Sequence, residues 1–355
     1  MVSDPSLPLQ GLQRAREMRV GYVPLTDSAP LLVAEKEGLF EKHGIKVRLS
    51  AEPGWATIRE KLIHGELDAA QCLAGLALAL NYGLGCMTRP MIVPLVLSSN
   101  GNAITITKEI PPEVFKTGAT LETFLETEWD KDRPLTLAAV HPFSSHHYLL
   151  KSWLTRLRFT RHDLVNFVFL PPAVLERNLA AGNIDGFCVG EPWNSKTILR
   201  DEGWCAATSV DLDDGHPEKV LVVPRSVSEA QPGEVVALTA ALIEACHLCQ
   251  DETYHPTLAE LLVSLNAFDM VAKDLGASLK RQTLTPPSRR KAKGSERFHL
   301  FYGAEVNPPH RHTANRVVSA LRATDRHDNK SMKGLDEVFR IDVYDQALST
   351  TELKS

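Results

Sequence analysis

Indole, amide, hydroxyl, imidazole and ammonium groups recur in this chain beside the residues that end strands and start helices. Trp55 stands in AEPGWAT, Gln71 in LDAAQ, Asn100 and Gly101 in SSNGNA, Ser144, Ser145 and His146 in HPFSSHH, Glu191 in VGEPW and Lys219 in HPEK. Several of these segments read as helix starts, where free backbone N–H groups and the positive end of the helix dipole favour a small anion. A flat aromatic wall, amide and hydroxyl donors, a ring donor and one cation suit a planar oxyanion. Each charge-assisted hydrogen bond contributes about 1.5–3 kcal/mol. Three or four of them bind a weakly hydrated anion at roughly micromolar levels once desolvation is met. Singly, each residue has a plainer reading: Trp55 as a core or lid aromatic, Gln71 as a partner for backbone groups, His146 as a helix-cap histidine, Lys219 as a solvated lysine and Glu191 as an interlobe or cap carboxylate. Their convergence at strand ends carries the binding reading.

Strand ends matter because of an internal echo. IREKLIHGELDAAQ (Ile58 to Gln71) reads as an amphipathic helix, a stop at Gly65, a Leu-Asp pair and a short apolar strand. VLERNLAAGNIDGFCVG (Val174 to Gly190) repeats that grammar with Gly182, Ile184 and Asp185. Each copy follows an extended segment, KVRLSAEP or LVNFVFLPP, so two similar α/β lobes with parallel sheets are expected. Strands are expected at Arg19 to Val23, Ile92 to Leu97 and Leu135 to Val140, with Asp27 or Ser28 capping the helix after the first. SSNGNA and HPEKVLVVP read as two crossovers between the lobes. The division is 18–100 plus 220–355 for lobe I with C-terminal helices, and 101–219 for lobe II. In open parallel sheets ligands sit beyond the carboxyl ends of strands, here in a hinged cleft.

The 355 residues correspond to about two domains at roughly 150 residues each. Apolar content of 43% and charged content of 23% exclude a disordered chain or a fibre, and the net charge of -5 leaves any basic surface local. No uncharged run of about 18 apolar residues exists, so no membrane span is expected. P-loop, GxSxG, HExxH and strand-borne GxGxxG motifs are absent, so neither an enzyme nor a bound cofactor or metal is expected. The segment Lys280 to Arg297 is strongly basic and reads as a solvated loop ahead of a partner or RNA contact. Six scattered cysteines suit a reducing compartment, and Cys246 and Cys249, although a CxxC, read as thiols packed on one helix. The first thirty residues show no secretory apolar stretch, which points to an unexported chain; a trimmed exported protein is the alternative.

GYVPLTDSAPLLVAEKEGLFEKHGIKVRLS, EPGWATIREKL, LDAAQ, NGNAITI and FCVGEPWN resemble the solute-binding proteins of the ABC importers for nitrate and bicarbonate, over about Met18 to Pro224. The resemblance implies the type II periplasmic-binding-protein fold and a site at Trp55, His146, Pro172 and Lys219. It makes Lys219 the discriminating position, since a cation suits nitrate whereas the bicarbonate relatives use an acid and a calcium ion. Nitrate importers carry glutamine where this chain has Asn100, one methylene shorter, so nitrite is also a candidate ligand. With the leader absent, the chain is most similar to the cytoplasmic nitrate/nitrite sensors of the NasS type. Their expected partner is an RNA-binding antiterminator of the NasT type, released when the anion binds, with no direct nucleic-acid or membrane contact. An importer's binding component is the second expectation.

Overall fold

The two echoed segments build the same device. Each helix stops at a left-handed glycine, Gly65 (φ 72°) or Gly182 (φ 70°), a conformation that costs a side chain about 1–2 kcal/mol. The aspartate that follows turns back to a neighbouring strand. Asp68 accepts the Arg19 backbone N–H at 2.9 Å and the Arg19 guanidinium at 2.9 Å. Asp185 accepts the Thr136 N–H at 2.8 Å and the Arg133 guanidinium at 2.6 and 2.9 Å. Each guanidinium also donates to the carbonyl of its own glycine, at 2.8 Å for Gly65 and 2.9 Å for Gly182. An arginine, a glycine carbonyl and an aspartate thus lock helix to strand once in each lobe.

The computed structural model describes residues 17–129, 133–280, 282–284, 297–324 and 331–353. Its strands are β1 (Met18–Tyr22), β2 (Val47–Ala51), β3 (Ala69–Leu73), β4 (Met91–Asn100), β5 (Asn102–Thr107), β6 (Leu135–Ala139), β7 (Val165–Phe169), β8 (Gly186–Gly190), β9 (Gly203–Thr208), β10 (Pro217–Pro224) and β11 (His299–Leu300). One sheet has the order β11-β4-β10-β3-β1-β2 and the other β7-β6-β8-β5-β9. The sheets are mixed, which corrects the expectation of parallel ones. β10 runs antiparallel to β3 and β4, and β5 antiparallel to β8 and β9. A strand that arrives from the other lobe enters at the cleft, beside the carboxyl ends of its neighbours, and has to run against them. The first residues of β5 and β10 are therefore cleft residues. The chain rejoins the first sheet at Pro217, and Lys219 pairs with Leu73 of that sheet.

The helix Pro232–Gln250 is long and apolar enough to cross a membrane by length and composition, but two-thirds of its apolar window is buried. It packs against β4 and the helices Ala29–Lys36 and Ile341–Ser349. Cys246 and Cys249 lie wholly buried on it, burial pushes both thiols well up, and Cys246 Sγ donates to the Leu97 carbonyl at 3.6 Å. They are packed core groups. Of the basic segment 280–297, Lys280 pairs with Glu252 and Arg297 with Asp214 at 3.0 Å. Arg281 and residues 285–296 lie outside the described residues.

Candidate functional site

The start of β10 carries two adjacent charged side chains, Glu218 and Lys219, and both are buried where the lobes meet. Lys219 Nζ pairs with Asp27 at 2.8 Å and with Glu218 at 2.5 Å, and stands 5.2 Å from the centre of the Trp55 ring. Burial alone would lower the lysine, but the two carboxylates hold it above its ordinary value. Asp27 lies in the turn after β1. Burial pushes its carboxyl up against the pull of Lys219, and the Gln71 amide donates to it at 2.7 Å. Gln71 is oriented in turn by the Val23 N–H, which donates to its carbonyl at 3.2 Å. Neither Asp27 nor Ser28 caps a helix through its side chain; the Ser28 hydroxyl donates to the Leu25 carbonyl and Asp27 turns inward to the lysine. Trp55 begins its helix and is 1% exposed, a wall of the site.

The second lobe closes on Glu218. One carboxylate oxygen faces Lys219 and His146 Nε2 at 3.3 Å; the other accepts from Asn102 at 2.8 Å, from the Ser145 hydroxyl, and stands 3.1 Å from His216 Nε2. Burial would raise this carboxyl, yet the Lys219 charge and the surrounding donors hold it well below the usual range. Ser144 caps the helix Ser145–Arg156 by accepting the His147 N–H at 3.2 Å, and that aims Ser145 and His146 into the cleft. Burial lowers His146 to about 3, so at neutral pH it is an uncharged ring. Its Nε2 lies 2.9 Å from the Asn102 side-chain oxygen Oδ1, which accepts, so the proton sits on Nε2. His146 therefore supplies a hydrogen bond and no charge. Its Nδ1 is buried with no partner among the described residues.

Four predicted positions lie elsewhere. Asn100 and Gly101 adopt left-handed backbone (φ 65° and 81°) and turn β4 into β5. The Asn100 side chain points to the other crossover, accepting the Gly215 N–H at 2.8 Å and donating to Asp214 at 3.1 Å and to the Arg297 carbonyl at 2.8 Å. It stitches the two crossovers together, and it is Asn102, two residues on, that faces the carboxylate. Pro172 is buried in the turn after β7, and its neighbour Pro171 packs against Gly54 before Trp55. Glu191 ties the lobes through its backbone: its carbonyl accepts the Thr26 N–H at 2.8 Å and its N–H donates to Gly101 at 3.1 Å. Burial raises the Glu191 carboxyl to about 7; one oxygen accepts the Ser195 N–H at 3.3 Å.

Trp55, Gln71, Ser145, His146 and Lys219 thus converge, and Asp27, Asn102, His216 and Glu218 join them unpredicted. The signal for Asn102, His216 and Glu218 was polar side chains flanking the two crossovers, at the start of apolar strands; Asp27 had none beyond its place in the turn after β1. The assembled site surrounds one planar group, the Glu218 carboxylate, with buried polar side chains from both lobes.

The family described as NMT1-like matches residues 12–263. The nitrate import ATP-binding protein NrtC of Synechocystis sp. is 41% identical over 254 residues, 71% of this chain and 38% of that protein. The bicarbonate transport ATP-binding protein CmpC of Synechocystis sp. is 35% identical over 307 residues, 85% of this chain and 44% of that protein. The chain thus spans less than half the length of these two curated relatives. The crystal structure of the periplasmic nitrate-binding protein NrtA from Synechocystis superposes with a TM-score of 0.84 at 20% identity, covering 96% of this chain and 90% of that one. The architecture is the α/β periplasmic-binding-protein fold.

Proposed function

This chain belongs to the NMT1-like family, and on that premise we propose that it is a binding protein whose lobes close on nitrate or nitrite. The observation that carries this reading is the ring around the Glu218 carboxylate: Lys219, His146, Asn102, Ser145 and His216, drawn from both lobes, converge on one planar group with two oxygens. Such a ring, walled by Trp55, suits a small trigonal anion. Its work is binding and closure, with no chemical step.

More specifically, we propose a cytoplasmic sensor that holds an RNA-binding antiterminator and releases it on anion binding. A ring split between lobes supports this, because any ligand in it favours the closed arrangement. A thousandfold preference for one arrangement is worth about 4 kcal/mol, enough to move a partner equilibrium. The second reading, a component of an importer for nitrate or bicarbonate, is favoured by the transport roles in the names of both curated relatives. Bicarbonate, unlike nitrate, carries a proton that it can donate to a carboxylate such as Glu218.

Calorimetric titration with nitrate, nitrite and bicarbonate, repeated on Lys219→Glu, tests the site. Nitrate binding is expected to disappear in the variant, and unchanged affinity would refute the assignment. For the sensor, copurification with a small RNA-binding protein and loss of that complex on adding nitrate is expected; an unaltered complex favours the importer reading.

A further inference from the structure

We propose that Glu218 is a tethered competitor for the anion: its carboxylate occupies the ligand ring when no anion is bound and must leave before nitrate or nitrite enters. This rests on the anion-binding reading above and adds the residue that sets its affinity. A carboxylate is itself a planar group with two charged oxygens, and the donors that the bound anion would need are already engaged: Lys219, Asn102 and Ser145 donate to Glu218, and His146 Nε2 stands 3.3 Å from it. Lys219 also serves Asp27. A nitrate added beside an ionised Glu218 would put three acceptors around one cation in a fully buried site, which the low dielectric makes prohibitive.

Glu218 has somewhere to go. A cavity of about 30 Å³, room for a single water, lies against it and is lined by Ser145, Asp213, His216 and Arg316 together with apolar side chains such as Phe143 and Leu321. Arg316 holds the crossover there, donating to the Gly215 carbonyl and to Asp213, each at 2.7 Å. A carboxylate that leaves the ring moves to the side where Arg316 pairs with Asp213, and Lys219 keeps Asp27. The apparent dissociation constant for a free anion is then the intrinsic one divided by the fraction of molecules with the ring vacated. A ring vacant in about one molecule in ten weakens nitrate about tenfold. A glutamine at 218 presents an amide N–H₂ to donors that need an acceptor, and so vacates the ring more often.

The full chain and Glu218→Gln are titrated calorimetrically with nitrate, and thermal melts of both and of Glu218→Ala are recorded with and without nitrate or formate. Nitrate is expected to bind Glu218→Gln more tightly than wild type, by up to about tenfold for a ring vacant in about one wild-type molecule in ten. Either anion is expected to raise the melting temperature of Glu218→Ala more than that of wild type, because it refills the emptied ring. Wild type that binds nitrate while Glu218→Gln binds it no better overturns this inference and leaves the anion-binding reading standing. So does a folded Glu218→Ala that neither anion stabilises. If no anion binds any of the three proteins, both readings fall.

Discussion

Replacing Lys219 by methionine keeps an unbranched side chain of similar length and deletes only the charge. In the wild-type protein the ammonium lies 2.8 Å from Asp27 and 2.5 Å from Glu218, and none of its surface meets water. Its loss leaves two buried carboxylates facing each other across an apolar tail. Breaking a buried pair by removing one partner costs about 3–5 kcal/mol. With an unfolding entropy near 2.1 cal/mol/K per residue, 355 residues give about 0.75 kcal/mol per degree, so the melting temperature should fall by about 4–7 °C. Calorimetric melts at pH 7 read this directly. Adding Glu218→Gln to Lys219→Met removes one stranded charge and should recover about 1–3 kcal/mol. A Lys219→Met protein within about 1 kcal/mol of wild type, or a double variant no more stable than the single one, would refute the view that these three groups form one buried charge cluster.

Other outcomes follow from the same geometry. The Glu191 carboxyl is raised from 4.5 to about 7 in the folded protein, so its contribution is fully present below about 4.5 and is lost as pH rises through about 7. The loss amounts to about 3 kcal/mol, and Glu191→Gln should flatten this part of the pH profile of stability relative to wild type. Asp185→Ala and Asp68→Ala each remove charge-assisted bonds worth about 1.5–3 kcal/mol, with the larger loss at the fully buried Asp185; denaturant titration checks the order. Asn100→Ala should destabilise by about 1–3 kcal/mol through the lost crossover bonds and the left-handed backbone, whereas Asn100→Gly keeps the backbone and loses less, again read by denaturant titration.

Much of the architecture was legible along the chain. The Gly65–Asp68 and Gly182–Asp185 echoes marked two equivalent helix-to-strand turns because a left-handed stop is a local requirement, whereas the anchors that each aspartate finds lie 49 residues away in the chain. The Ser144 cap and the buried helix through Cys246 and Cys249 were legible for the same reason. The site was legible by type and less so by address. Asn100 and Asn102 are indistinguishable in the sequence; only the left-handed turn at Asn100 and Gly101 sends the first to the hinge and the second to the cleft. Asp27 resembles a helix cap until Lys219, nearly two hundred residues later, arrives beside it.

The sequence by itself determined the two α/β lobes, their crossovers and the presence of an indole, a cation and a set of neutral donors near strand ends, because propensity, capping and hydrophobic period act over neighbouring residues. Only the tertiary structure decided that β5 and β10 run against their sheets, that His146 is uncharged, and that Lys219 already serves two carboxylates. Those properties depend on which groups meet when the lobes close and on how completely water is excluded there. Charge state and ligand competition are set by that encounter, which no stretch of neighbouring residues encodes.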